Sequence, residues 1–413
     1  MLKIQKNLSN AFYLILGLPS TAMGFGLSVQ IAALSWILRT QYDLAIYEIG
    51  IVWAAGPLAG IIGQPIVGLI SDKLWFWGGR RRPFILIGGV IAAMSIFALP
   101  YIGAINSALG IGSIMAVAIA IALTLDLAIN ISFNPARSII ADVTPEGTPR
   151  TKGYTWMQSV SNLFGSLAYL TAALLGNYVL IFVGSGIILL FSIVPVFFIK
   201  EPRVLEPATT DNAKPEATTT HWGDLFKIYI AHGFSWLGIQ TMFIYAIIFV
   251  EAKLNPATDL ITGQIIGWSF FLLNAIGSIF PIFVLEPLAR RIGRVNTHTI
   301  AVSVMALGYL GIALFARNQI EFYILMAILS FGWAAVVSLP FAIMSEKVDK
   351  SRMGFFMGIF NLSVVLPQLV ASFAIGFLIN AIANKSSIFI ISAISLAVSA
   401  MLWTLVKEVR PGK

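Results

Sequence analysis

Apolar runs long enough to cross a bilayer recur through almost the whole of this 413-residue sequence, and that recurrence leaves few folds open. Hydrocarbon offers no water to satisfy a free backbone N–H or C=O, so a spanning segment must close its own hydrogen bonds, as a helix does. Runs of about 18 or more apolar residues begin near Ala11, Tyr47, Pro83, Gly110, Gly153, Val179, Phe226, Ile261, His298, Glu321, Gly354 and Ile388. The chain is 58% hydrophobic and 11% charged, against roughly 25% charged residues in soluble domains. An all-α integral membrane protein with twelve transmembrane helices is expected.

The basic residues orient those helices. Lys3 and Lys6, Lys73 with Arg80 to Arg82, Arg150 and Lys152, Lys200 and Arg203, Arg290, Arg291 and Arg294, Lys347, Lys350 and Arg352, and Lys407 to Lys413 all fall on one side. Arg39, Lys253, Arg317 and Lys385 fall on the other. The excess of Lys and Arg on the cytoplasmic face then places both termini in the cytoplasm. The net charge of +8 reports this topology and not nucleic-acid binding, because it sits in alternate loops. The apolar run after MLKIQKNLSN continues too far for a signal peptide and reads as the first span. A plasma membrane, or the inner membrane of a bacterium, is the expected location.

One long polar stretch interrupts the pattern. Lys200 to His221 is rich in Pro, Thr and charge and has no apolar period, so it reads as a cytoplasmic linker. The expected organisation is a first bundle at 1–199, a linker at 200–222 and a second bundle at 223–413. An internal echo supports the division. Pro135 to Gly153 carries Pro, acid, base and Gly in the order that Pro340, Glu346, Lys350, Arg352 and Gly354 repeat, and Gly78 to Arg82 is answered by Arg290 to Arg294. Two parallel six-helix halves of this kind place substrate at their interface near the membrane midplane.

Within the fourth span, Ile121 to Asp142, stands a carboxylate, Asp126. A charge at mid-membrane costs at least roughly 2.5 to 3.5 kcal/mol, so an intramembrane Asp marks a functional site facing a water-filled cavity. Protonation removes the cost. Asn130 and Asn134 follow at one and two turns, and Arg137 lies about 20° from Asp126 around an ideal helix. One face of this span is therefore polar.

Enzyme chemistry finds no support. There is no cysteine, no Walker loop, no HExxH and no nucleophile elbow. Three scattered histidines do not make a metal site, so neither metal nor cofactor is expected.

The loop Gly68-Leu-Ile-Ser71-Asp72 followed by Gly78-Gly79-Arg80-Arg81-Arg82-Pro83 resembles the signature loop of the major facilitator superfamily. Trp53-Ala-Ala-Gly56-Pro57-Leu-Ala-Gly60, Gln64-Pro65, Leu125-Asp126-Leu-Ala128-Ile-Asn130, Pro135-Ala-Arg137 and Ala141-Asp142 are similar to the sucrose and proton symporters of its glycoside transporter group. Gly358-Ile-Phe-Asn361 and Leu366-Pro367-Gln368 resemble the eleventh span of that group. The resemblance implies two pseudo-symmetric six-helix bundles that rock between inward-open and outward-open states. It implies that Asp126 carries the proton, with Arg137 its basic partner and Asn130 the amide beside it, and that Gln30 faces sugar. Asp72, Arg80, Arg81, Arg82 and Asp142 become the gating charges.

A disaccharide needs amides for its hydroxyls and an aromatic platform for its apolar ring faces. Gln30, Gln64, Asn130, Gln158, Asn361 and Gln368 are the amide candidates. Asn162, Gln240 and Asn274 also lie within spans, and some of these amides serve as helix-to-helix glue. Trp236 and Trp333 lie deep in spans and are the platform candidates, as to a lesser degree is Trp53. Trp75, Trp77 and Trp403 fit the interfacial aromatic belt. His232, near the start of span seven, reads as structural or interfacial, and His221 and His298 as loop residues. The expected function is proton-coupled symport of a disaccharide or glucoside of the sucrose or maltose type, with sugar, proton and membrane lipid as partners and no nucleic acid. Sodium coupling, a proton-driven exporter of another solute, and an ion-independent facilitator remain the alternatives. A dehydrated sodium ion commonly wants more than one cavity carboxylate, and span two has no membrane-embedded acid, with Glu48 and Asp72 marking its two ends, so Asp126 stands alone.

Overall fold

The structure, a computed structural model, describes residues 3–61, 74–145, 148–203, 222–345, 347 and 353–407. Those residues form α1 (Asn10–Thr40), α2 (Ile46–Ile61), α3 (Arg82–Leu109), α4 (Ile114–Val143), α5 (Thr148–Leu175) and α6 (Asn177–Phe198). The series continues with α7 (Trp222–Leu254), α8 (Asp259–Phe280), α9 (Arg294–Phe315), α10 (Gln319–Val336), α11 (Met353–Val370) and α12 (Ser387–Trp403). Eleven of the twelve expected span starts fall on these helices, and Gly110 instead caps α3 just before α4 begins. Among the described residues nine helices are long and apolar enough to cross a membrane, and α2 and α12 are shorter apolar helices. α5 is long enough at 28 residues but carries Arg150, Lys152, Gln158 and Asn162. Gln64, Asp72 and linker residues 204–221 lie outside the described residues.

Local chemistry starts and stops the helices. Ser9 Oγ accepts from Phe12 N at 3.2 Å, Ser113 Oγ from Ala116 N at 3.2 Å, and Asn318 Oδ1 from Ile320 N and Glu321 N at 3.0 Å. Each satisfies an N–H left without an intrahelical partner. α1, α4, α6 and α11 contain the interior prolines Pro19, Pro135, Pro195 and Pro367, which membrane helices tolerate when neighbours re-satisfy the freed carbonyls. Helix packing relies on small residues. A Cβ on Gly88 would sit 2.6 Å from Ala128 O, so α3 lies directly on the α4 backbone.

By their contacts the residues form two compact units. The first comprises Met1–Leu44, Ile51–Ala208 and Asp259–Gly267; the second comprises Ala45–Gly50, Thr209–Thr258 and Trp268–Lys413. Inside the first, α1 packs on α5 and α6, and α3 packs on α4 and α6. Inside the second, α7 packs on α11 and α12, and α9 packs on α10 and α12. Each pairing recurs with an offset of six helices. The same helix is central in each unit: 83% of the most apolar window of α1 and of α7 is buried, against 33% for α6. In the first unit the chain start is tied to the end of α6, because Gln5 Nε2 donates to Lys200 O at 2.8 Å and Gln5 Oε1 accepts from Lys200 N at 3.0 Å. α8 contributes its first two turns to the first unit, where Trp36 Nε1 donates to Asp259 O at 2.7 Å.

Two expectations are corrected. His298 is no loop residue, since α9 begins at Arg294 and carries it fully buried on its second turn. Trp403 is not at the lipid rim but inside the second unit, with its ring centroid 4.4 Å from that of His298. Position near a span end suggests the interface for both, whereas tertiary packing of α9 on α12 covers them. Trp75 and Trp77 are exposed.

Candidate functional site

The first unit assembles its polar residues around Asp126. Asp126 is 6% exposed. Gln30, on central helix α1, donates from Nε2 to Asp126 Oδ2 at 3.0 Å. A buried carboxylate without a donor is costly to keep ionised, and this amide supplies one. From α2, Gly56 approaches so closely that a Cβ there would lie 3.2 Å from Oδ2. Asn130 turns its amide back one turn, donating from Nδ2 to Asp126 O at 2.7 Å. Asp126, Gln30 and Asn130 are thus brought together, and Gly56 is an added neighbour that the sequence motif contains without revealing its role.

Arg137 lies eleven residues on, about 16 Å along the helix axis, and its guanidinium sits over the Phe133 ring at 4.1 Å. Between them Pro135 withholds an N–H from the Ile131 carbonyl. Gln158 donates to Asn162 Oδ1 at 2.8 Å on an exposed face of α5. Trp53 spends its indole N–H on Ser35 Oγ at 2.7 Å and is buried, so it packs the α1 and α2 contact.

At one end of this unit the basic triplet is held by two acids. Arg81 Nε donates to Asp142 Oδ2 at 3.1 Å, with the two side chains 8% and 10% exposed. Glu201 accepts from the backbone N–H groups of Arg80, Arg81 and Arg82, each at 2.8 Å, a carboxylate seated at the positive start of α3. Glu201 falls within the stretch expected to be linker. Its position directly after α6, in Lys200-Glu201-Pro202-Arg203, is the one signal the sequence offers for this role.

The second unit gathers aromatics and amides. Trp236 of α7 and Trp333 of α10 meet edge to face with centroids 6.1 Å apart, and Phe243 packs on Trp333 at 5.5 Å. Trp236 Nε1 donates to His232 Nε2 at 2.9 Å and Trp333 Nε1 donates to Asn274 Oδ1 at 3.2 Å. With both indole N–H groups satisfied within the unit, the half-buried rings offer apolar surface. Gln368 of α11 donates to Gln240 Oε1 at 3.2 Å, and Asn361 stands half-buried two turns before Gln368 on the same helix. At the start of α7, Asp224 receives Lys347 at 3.0 Å and Lys227 at 3.5 Å.

Residues 16–372 match the family model of the Major Facilitator Superfamily. The chain belongs to this superfamily. Membership makes it a multi-pass membrane transporter and not an enzyme. The sucrose transport protein SUC4 of Arabidopsis thaliana is 24% identical to it over 88% of this chain and 83% of that protein. The sucrose transport protein SUT1 of Oryza sativa subsp. japonica is 24% identical over 87% and 80% respectively. Among solved structures, the nucleoside transporter NupG superposes with a TM-score of 0.73 at 12% identity, covering 96% of this chain and 98% of its own. The xylose transporter XylE from E. coli does so with a TM-score of 0.67 at 16% identity, covering 97% of each chain. These superpositions show the superfamily's all-α fold.

Proposed function

We propose that this superfamily member is a proton-coupled symporter of a disaccharide or glucoside of the sucrose type, working by alternating access. The observation that carries the reading is Asp126: a buried carboxylate in an apolar helix, with one amide hydrogen bond from Gln30 and a glycine cleared beside it. A neutral Asp126 has an O–H to give to a sugar hydroxyl, while an ionised one keeps only acceptors. Loading a proton therefore precedes tight binding of sugar, and the proton is released after the sugar leaves. Arg137 and the basic loops raise the potential toward the far end of α4 and favour return to the carboxylate. In the second unit, Trp236 and Trp333 supply an apolar platform, and Asn361 and Gln368 supply amides for hydroxyls. Gln64, Gln158 and Asn130 extend the amide set of the first unit.

The sucrose transport relatives support the sugar, and the lone carboxylate of α4's apolar stretch supports a proton over sodium. Asp72, Arg80, Arg81, Arg82 and Asp142 act as the gate, with 1–199 and 223–413 as the rocking bundles and 200–222 as their linker. Both termini face the cytoplasm across a plasma or inner membrane, as the distribution of Lys and Arg favours.

Uptake of labelled sucrose and maltose into vesicles, with an imposed pH gradient, a sodium gradient or neither, tests this directly. Accumulation driven by the pH gradient alone is expected. Uptake that follows sodium, or that equilibrates without any gradient effect, sinks the proton reading, and no uptake of either sugar sinks the sugar reading.

A further inference from the structure

His232 is fully buried in α7, packed flat against Phe360 with ring centroids 4.7 Å apart and an interplanar angle of 16°. A phenyl ring or an aliphatic side chain would fill that place equally well by packing alone. Among the described residues the imidazole makes one hydrogen bond: Nε2 accepts from Trp236 Nε1 at 2.9 Å. An indole N–H only donates. Nε2 is therefore unprotonated, and the neutral ring carries its proton on Nδ1. Among the described residues that buried Nδ1–H has no hydrogen-bond partner, so its desolvation goes uncompensated there. Such a burden inside the protein calls for a reason, and the bond that the ring makes is to a tryptophan of the candidate platform.

That bond fixes the second rotatable angle of Trp236. The indole is held by His232 on its N–H edge and meets Trp333 edge to face at 78°. Trp333 is anchored in turn by Asn274. A chain of four side chains, His232, Trp236, Trp333 and Asn274, thus sets the angle between two half-buried indoles. Stacking on a sugar ring depends on that angle, because only a correctly turned face meets the C–H groups of the pyranose.

We propose that His232 is a positioning residue for sugar recognition: it never touches substrate, and it holds the Trp236 indole in the orientation that accepts a pyranose face. The inference rests on the sugar reading above and assigns a determinant of affinity to a buried residue one turn from the platform. A bond of this kind fixes binding geometry in the ground state, so its loss appears in KM and leaves Vmax nearly unchanged.

The test measures initial rates of labelled sucrose uptake in vesicles under a fixed pH gradient, with membrane protein quantified for each variant. His232→Phe keeps the stack on Phe360 and removes the acceptor; KM is expected to rise about 3- to 10-fold, the range of one net hydrogen bond. His232→Gln restores an acceptor at similar reach and is expected to bring KM back to within about twofold of the parent. In a Trp236→Phe background, where the donor is gone, His232→Phe is expected to add nothing further. If His232→Phe does not reach the membrane, His232→Leu takes its place in the same cycle. A parent that transports sucrose while His232→Phe leaves KM unchanged overturns this inference alone, and so does a full additive effect in the Trp236→Phe background. A rise in KM that His232→Gln fails to reverse overturns it as well. A parent that takes up no sugar overturns the sugar reading and this inference with it.

Discussion

The two units pack their helices by one scheme and fill them with different chemistry. α1 and α7 hold the same central place, and the pairings of α3 with α4 and α6 recur as α9 with α10 and α12. Yet α1 brings Gln30 to a carboxylate, while α7 brings Trp236 to an indole and Gln240 to an amide. Among the described contacts, the aromatic cluster of the second unit holds no carboxylate that answers Asp126. A scaffold repeated twice has been given a titratable centre in one copy and an apolar platform in the other. On the reading proposed above, Asp126 meets both proton and sugar while the platform meets sugar alone, so a change at the platform is expected to alter binding and leave the proton step in place.

Removing the titratable centre is the most severe break. Asp126→Asn keeps the shape of the neutral acid and the reach to Gln30, but binds no proton. With one proton per sugar and no membrane potential, the parent should accumulate sugar up to about tenfold per unit of pH gradient, since one unit is about 1.36 kcal/mol. The variant should show no accumulation at any gradient and should retain sugar exchange between preloaded vesicles and medium. The sign is fixed by the neutral form being competent: parent uptake falls as the external pH rises, and the variant's exchange does not. Uphill accumulation by Asp126→Asn would move the proton to another group.

The ion pairs of the two units differ in burial from pair to pair, and stability should follow. Arg81 and Asp142 are both nearly covered, whereas Asp224 shares Lys347 and Lys227, the latter well exposed. Arg81→Ala leaves a buried carboxylate without its partner and should cost about 3–5 kcal/mol. Lys227→Ala should cost under about 1 kcal/mol, as an exposed pair does. Thermal unfolding of the purified protein in detergent reads both, and equal shifts would contradict the ranking.

The helices and the carboxylate are legible in the sequence alone. Among the described residues eleven of the twelve runs start on the helices expected of them, because the demand for internal backbone hydrogen bonding is local and leaves the chain little choice. Asp126 is legible because charge in an apolar run is an anomaly that the local composition reveals. Its partners are a different matter. Gln30 lies 96 residues away, and Gly56 matters only because α2 comes within van der Waals reach of the carboxylate. His298 and Trp403 defeat a linear reading for the same reason, since nothing local tells a residue near a span end whether lipid or another helix will cover it. The allotment of Asp259–Gly267 to the first unit and of Ala45–Gly50 to the second likewise follows from contacts that no linear reading contains.

A substitution on the platform should separate the two units functionally. Trp333→Leu removes the ring that Trp236 and Phe243 both pack against. Aromatic pairing beyond area burial is worth about 0.5–1.5 kcal/mol, so KM for sugar should rise roughly 2- to 10-fold. The pH dependence of uptake should stay that of the parent, because Asp126 and Gln30 are untouched. A shift in that dependence would show that the platform also acts on the protonation of Asp126.

The smallest effect is expected at the amide pair, and it decides whether Gln368 serves substrate or only helix packing. Gln368 Nε2 donates to Gln240 Oε1 at 3.2 Å, a long bond between helices α11 and α7. Interhelical polar contacts in membranes average about 0.6 kcal/mol. If the pair is glue alone, Gln368→Ala and Gln240→Ala remove the same bond, lower the unfolding temperature equally and leave KM alone. If Gln368 also meets a sugar hydroxyl, its loss adds a term that Gln240→Ala lacks. Gln240 is the more deeply buried of the two, which leaves Gln368 as the partner able to reach outward. KM is therefore expected to rise about 3-fold in Gln368→Ala, the worth of roughly one modest hydrogen bond, and to stay within error of the parent in Gln240→Ala. Equal KM values in the two variants would return Gln368 to the packing of the second unit and leave the platform tryptophans and Asn361 to carry recognition there.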